Sequence, residues 1–157
     1  MRISFAALVL LLLLPAPAQA LLCGTVLEPV RVTTAGLSFG SYFPGAASDL
    51  KINGTLKIDC GALSLDLLPD FTVSLGPGNA ATPAPRYMLK SGVHLNYNLY
   101  TTSGYGTVWS TTAGSTVSFS ALLNLGTVSL TVYGAVFKGQ FIATGSYTDT
   151  VQVTVNY

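Results

Sequence analysis

The clearest alternation of apolar and polar positions lies in the last eleven residues, YTDTVQVTVNY. Tyr147, Asp149, Val151, Val153, Val155 and Tyr157 fall on one side of an extended chain, and Thr148, Thr150, Gln152, Thr154 and Asn156 on the other. Successive strand side chains point to opposite faces, so the pattern predicts a strand over 147–157 with one buried and one wet side. Gly145-Ser146 supplies a turn ahead of it. The same period recurs upstream. Leu37 with Phe39 and Phe43, then Ile52, Leu56, Ile58 and Cys60, then Phe71, Val73 and Leu75 each mark a short strand. Leu95, Tyr97 and Leu99 mark another, Val108-Trp109 a shorter element, Val117 and Phe119 a further strand, and Val128, Leu130, Val132 and Val136 one more. A first segment around Val26, Val30 and Val32 is interrupted by Pro29, which cannot donate to a ladder and marks an edge or a bulge. Gly76-Pro77-Gly78-Asn79, followed by Pro83 and Pro85, reads as a long, mobile surface loop. Short strands with turn residues between them and almost no helical period after residue 20 predict one all-β domain, a sandwich or a barrel.

The N-terminus breaks this pattern. Arg2 precedes a leucine-rich run over Leu8–Leu14, Pro15 follows, and Ala18-Gln19-Ala20 fits the small-x-small cleavage rule. Residues 1–20 therefore read as an export signal and 21–157 as the mature domain. The apolar run, about ten residues, is too short to hold a bilayer, and no other stretch predicts stable membrane insertion. Acylation at Cys23 would require a small residue before it, where bulky Leu22 stands. Without Arg2 the remaining six basic residues balance six acids, so the mature chain carries no net charge. No basic patch is available for phosphate backbones, which argues against nucleic acid as a partner. A weakly charged surface near neutrality tolerates association and suits an assembly component.

Export to an oxidising compartment predicts that Cys23 and Cys60 form a disulfide, closing a loop that would stabilise the fold by roughly 3–4 kcal/mol. Two free thiols, or a metal held with the single histidine, are the weaker alternatives. Catalytic signals are poor. Gly36-Leu37-Ser38-Phe39-Gly40 matches the nucleophile-elbow pattern, but a Pro-Gly turn rather than a helix follows, and His94 is the only available base. The carboxylates are scattered, with Asp66 and Asp70 the nearest pair. Asn53-Gly54-Thr55 is a glycosylation sequon. No catalytic residue, metal ligand or cofactor is predicted. The tyrosines, with Trp109, read mainly as core or rim residues; Tyr105 and Trp109 are the candidates to face a ligand.

Several of these pieces also occur together in a known family. Arg86-Tyr87-Met88, Leu95-Asn96-Tyr97-Asn98-Leu99-Tyr100, Val108-Trp109, Val132-Tyr133-Gly134, Gly139-Gln140 and Gly145-Ser146-Tyr147-Thr148-Asp149 with the terminal strand resemble the spore coat protein U domain, shared with subunits of archaic, Csu-type chaperone–usher pili. The first half agrees more loosely, through a cysteine after the signal, Phe39-Gly40 near Tyr42, and Cys60. Trp109 lacks the glycine-aspartate-glycine turn that often follows it in the family, and Ala135 stands where a basic residue is common.

The resemblance implies an immunoglobulin-like β-sandwich lacking its final strand and completed by donor-strand complementation. It implies a non-enzymatic structural or adhesive subunit of a surface fibre. The implied partners are a periplasmic chaperone, an outer-membrane usher and neighbouring subunits, met in the periplasm and then at the cell surface. Tyr147, Val151, Val153, Val155 and Tyr157 would line the groove that a lent strand fills. With cleavage after Ala20, only Leu21 and Leu22 precede Cys23, which leaves nothing to donate and points to a fibre tip. Two alternatives stand beside this. One is a self-complete, sugar-directed binding module using Tyr105 and Trp109; the other is a spore or cell-coat component.

Overall fold

The computed structural model describes residues 30–59, 70–120 and 127–156. The expected export signal over 1–20, Cys23, Cys60, Asp66 and Tyr157 lie outside them. The described residues form eight strands: β1 (Arg31–Thr34), β2 (Leu50–Asp59), β3 (Asp70–Leu75), β4 (Arg86–Lys90), β5 (Val93–Tyr100), β6 (Val117–Ser120), β7 (Thr127–Val136) and β8 (Val153–Asn156). They make two antiparallel sheets, one ordered β1-β2-β7-β5-β4 and the other β6-β3-β8. The chain is therefore the all-β, two-sheet fold that the alternation predicts.

The period-2 pattern does the sorting. Leu56 and Ile58 of β2, Phe71, Val73 and Leu75 of β3, and Leu95, Tyr97 and Leu99 of β5 are buried, and Trp109 and Val136 complete the core. The inner face of the larger sheet is not uniformly covered, since Ile52, Val128, Leu130 and Val132 are only half-buried. Gly54 and Gly134 lie on that face within the β2–β7 ladder, where Gly54 pairs with Val132 and Ile52 with Gly134. A Cβ at Gly134 would stand 2.6 Å from Leu37 Cδ2 and 2.8 Å from Phe39 Cζ. The two glycines thus leave room for Leu37 and Phe39, which descend onto the sheet from the segment after β1.

Four features depart from the pattern. Leu37–Phe43 joins no ladder among the described residues and turns at Gly40, which sits at φ 70°, and Phe43 points into solvent, 70% exposed. Arg86–Lys90, unmarked by its polar ends, is the full edge strand β4. The loop over 76–85 is tied down: Asn79 donates its N–H to Asp149 Oδ1 at 2.7 Å and its Nδ2 to the carbonyl of Thr148 at 3.1 Å. Gly78, at φ 67°, sits where any side chain would collide with the Asp149 carboxylate.

The fourth departure is the terminal strand, whose ladder begins at Val153 rather than at Tyr147. The faces still alternate, with Tyr147, Asp149, Val151, Val153 and Val155 half-buried and Thr148, Thr150 and Gln152 exposed. What shortens the ladder is a change of sheet. Thr148 bridges Leu89 on β4 of the larger sheet, through N–H···O bonds of 2.8 and 3.3 Å. Four residues later Gln152 accepts from the N–H of Gly76, and β8 runs on beside β3 in the smaller sheet.

Candidate functional site

β8 pairs with β3 alone among the described strands, so its other edge has no partner among the described residues. The Gly76–Gln152 bond fixes which groups face that edge. In an antiparallel ladder bonded and non-bonded pairs alternate, so the N–H and C=O groups of Val151, Val153 and Val155 point away from β3. Their side chains meanwhile pack against the core. The chain therefore presents backbone bonds sideways and apolar side chains inward on the same three valines.

Opposite this edge runs the segment after β1. Apart from Ala35, which donates to Thr55, residues 35–42 make no backbone–backbone hydrogen bond among the described residues. Between the two segments lies a cleft of two chambers. One, about 390 Å³, is walled by Leu37, Gly54, Leu75, Leu99, Val151 and Val153 among others. The second, about 590 Å³, is walled by Tyr42, Pro44, Leu95, Val136 and Ile142 among others. Leu37, Phe39, Met88, Tyr147 and Thr148 line both, so the chambers meet end to end. Tyr42 Oη accepts from the N–H of Gln140 and ties the loops at the far end, from which Phe43 and Phe141 project.

Of the residues singled out in the sequence, Tyr147, Val151 and Val153 line this cleft, and Val155 packs on the adjoining core. Trp109 does not face solvent. It is 0% exposed, and its indole N–H donates to the carbonyl of Val73 at 2.9 Å. An indole with a donor to satisfy can be buried only beside an acceptor, and here that acceptor joins it to the opposite sheet. Tyr105 is half-buried at the surface, apart from the cleft. Ser38 lines the second chamber on the extended segment, and His94 lies exposed on β5, stacked on Tyr87 at 3.9 Å.

Sequence reasoning missed the polar frame that holds the cleft walls. Asp149 accepts from Asn79 N–H, Thr150 N–H and Tyr97 Oη, each at 2.7 Å. Arg86, wholly buried on β4, reaches across to the smaller sheet. It donates Nε to the carbonyl of Gly76 at 2.9 Å, and Nη2 to those of Leu75 at 3.1 Å and Trp109 at 2.6 Å. Burial pushes the guanidinium below its ordinary range, against the pull of Tyr97 and Asp149. In the sequence Asp149 reads as a break in an apolar face, and both it and Arg86 stand within the family motifs with no role attached.

Burial, reinforced by the bond to Asp149, drives the Tyr97 phenol well above its ordinary value near 10. Its folded pKa exceeds its unfolded one, so the resulting stability is complete below pH 10 and is lost as pH rises beyond that. Urea titrations between pH 8 and 11 should show the stability advantage of wild type over Tyr97→Phe shrinking above pH 10. A gap independent of pH would place the phenol outside this linkage.

Residues 19–154 match the Spore Coat Protein U domain. Protein U of Myxococcus xanthus is 32% identical over 135 residues, covering 77% of this chain and 71% of that protein. Among solved structures, a chain in the CsuC–CsuE chaperone–tip adhesion subunit pre-assembly complex, from archaic chaperone–usher Csu pili of Acinetobacter baumannii, superposes with a TM-score of 0.57. It is 23% identical, and the match covers 85% of this chain and 40% of that one, a likeness of fold. With an all-β, immunoglobulin-like sandwich and a family match spanning nearly the whole sequence, the chain belongs to the Spore Coat Protein U domain family.

Proposed function

We propose that the cleft is a strand-acceptor groove, and that this chain is a non-enzymatic subunit of a secreted fibre of the archaic chaperone–usher type. The observation that carries the proposal is the pair of facing segments, residues 36–42 and the outer edge of β8, whose backbones lack backbone partners among the described residues on either side of an apolar cleft. A strand laid there would bond through its main chain to Val151, Val153 and Val155 and drop alternate side chains into the two chambers. Each buried aliphatic side chain would contribute about 1.5–3 kcal/mol. The lent strand would come first from a periplasmic chaperone and then, at an outer-membrane usher, from a neighbouring subunit. A signal over 1–20 and a Cys23–Cys60 disulfide belong to the same reading. So does the tip position, for which the fold likeness to a chaperone–tip subunit complex is support.

A synthetic extended peptide with four alternating Val or Leu residues, added in excess to the purified full chain, tests acceptance. The expected result is a 1:1 complex and a rise in unfolding temperature of several degrees, as ligand binding to the folded state requires. A peptide with the same composition but paired rather than alternating apolar residues should not bind. Equal effects of the two peptides, or none from either, would overturn the proposal. The family match also supports a coat component assembled by the same strand exchange. That reading differs in the polymer formed and not in the groove.

A further inference from the structure

On the outer face of the larger sheet, away from the cleft, the chain gathers three tyrosines and a lysine. Tyr100 of β5 and Tyr133 of β7 are cross-strand partners. Tyr105 meets both edge-to-face, at ring separations of 5.3 and 6.2 Å. Lys51 of β2 holds its ammonium 4.1 Å from the Tyr105 ring centre. Outer faces of antiparallel sheets are ordinarily polar, as Thr55 and Thr131 are on these same strands.

The backbone at Tyr105 has an unusual conformation for a bulky residue. The N–H of Tyr105 donates to Thr102 and that of Thr101 to Thr107, closing a tight loop whose apex residue sits at φ 54°. A left-handed conformation costs a bulky residue free energy that glycine would not incur. Gly104 and Gly106 flank the position, so the loop has glycine on either side of it and a tyrosine where glycine would fit best. Strain of this kind persists where a side chain is needed in one place.

We infer that Tyr105, Tyr100, Tyr133 and Lys51 form a binding platform for an acidic saccharide, such as a chain of uronic acids. Tyrosine faces take the apolar side of a pyranose ring while their hydroxyls bond its periphery. Lys51 is exposed and has no acidic partner among the described residues, so its charge is available to a sugar carboxylate. Asn53, exposed beside Tyr133 in the ladder, adds an amide suited to hydroxyl groups. This platform is independent of the strand-acceptor reading.

Binding of the full chain to polygalacturonate and to neutral dextran, by calorimetry, tests the proposal together with Tyr105→Gly and Lys51→Gln. Polygalacturonate should bind and dextran should bind at least tenfold more weakly. Lys51→Gln should lose about tenfold toward polygalacturonate. Tyr105→Gly should abolish binding while its unfolding temperature stays level or rises, because glycine relieves the strained backbone. Retained binding in Tyr105→Gly, equal affinity for both polymers, or binding to neither would overturn the platform. Marked destabilisation of Tyr105→Gly would also overturn it, by making the tyrosine cluster a packing element.

Discussion

Arg86→Leu should cost about 4 kcal/mol or more of stability, a large share of what a domain of this size possesses. The side chain is 0% exposed, and its three bonds run to the carbonyls of Leu75 and Gly76 at the end of β3 and of Trp109. Leucine fills part of the volume but leaves those acceptors buried without donors, at about 1–3 kcal/mol for each group stranded. Replacing an entire ionic network by apolar residues can be harmless, but here the acceptors are backbone and cannot be replaced along with the arginine. Arg86→Lys should fall between the two. Its single ammonium lacks the planar fork that serves Gly76, Leu75 and Trp109 at once. Urea denaturation of the three proteins checks this, and a loss under about 1 kcal/mol in the leucine variant would show that the sheets are not clasped through Arg86.

That clasp marks where legibility in the sequence ends. β2, β3, β5 and β7 carry alternating apolar positions, and a half-covered sheet face demands that period, so their burial could be read directly. β4 could not. Its ends are Arg86 and Lys90, and a pattern built on apolar alternation assigns such a segment to the surface. Its place in the sheet depends on acceptors supplied by residues 10 to 23 positions away, which no local window contains. The loop over 76–85 misled for the same reason. Glycine and proline report a turn, but Asp149, seventy residues on, holds Asn79 in place. Trp109 could be rim or core on hydropathy alone, and the carbonyl of Val73 decides it. The cleft itself was half visible. The three valines of one face were plain, whereas the opposing wall of Leu37 and Phe39 required knowing that Gly54 and Gly134 lie beneath them.

A charge at Val153 discriminates between an acceptor groove and an ordinary edge. Val153 is half-buried, lines the first chamber, and turns its backbone toward the open edge. In the unoccupied cleft an aspartate there retains access to water, so Val153→Asp should lower the stability of the chain by only about 1–2 kcal/mol. Once a strand covers it, the carboxylate becomes buried with no basic partner among the residues lining the chamber, a penalty of several kcal/mol. Since each 1.4 kcal/mol is a factor of ten, affinity for the alternating peptide should fall by about a hundredfold or more. Gln152→Asp is the control, because Gln152 is exposed on the opposite face of the same terminal segment. That variant should bind within about threefold of wild type. A loss at 152 with none at 153 would mean that the incoming strand reads the other face, because a shift of one residue exchanges every inward side chain for an outward one. No loss at either position would mean that strands dock elsewhere and that the chambers beside β8 are not where the fold is completed.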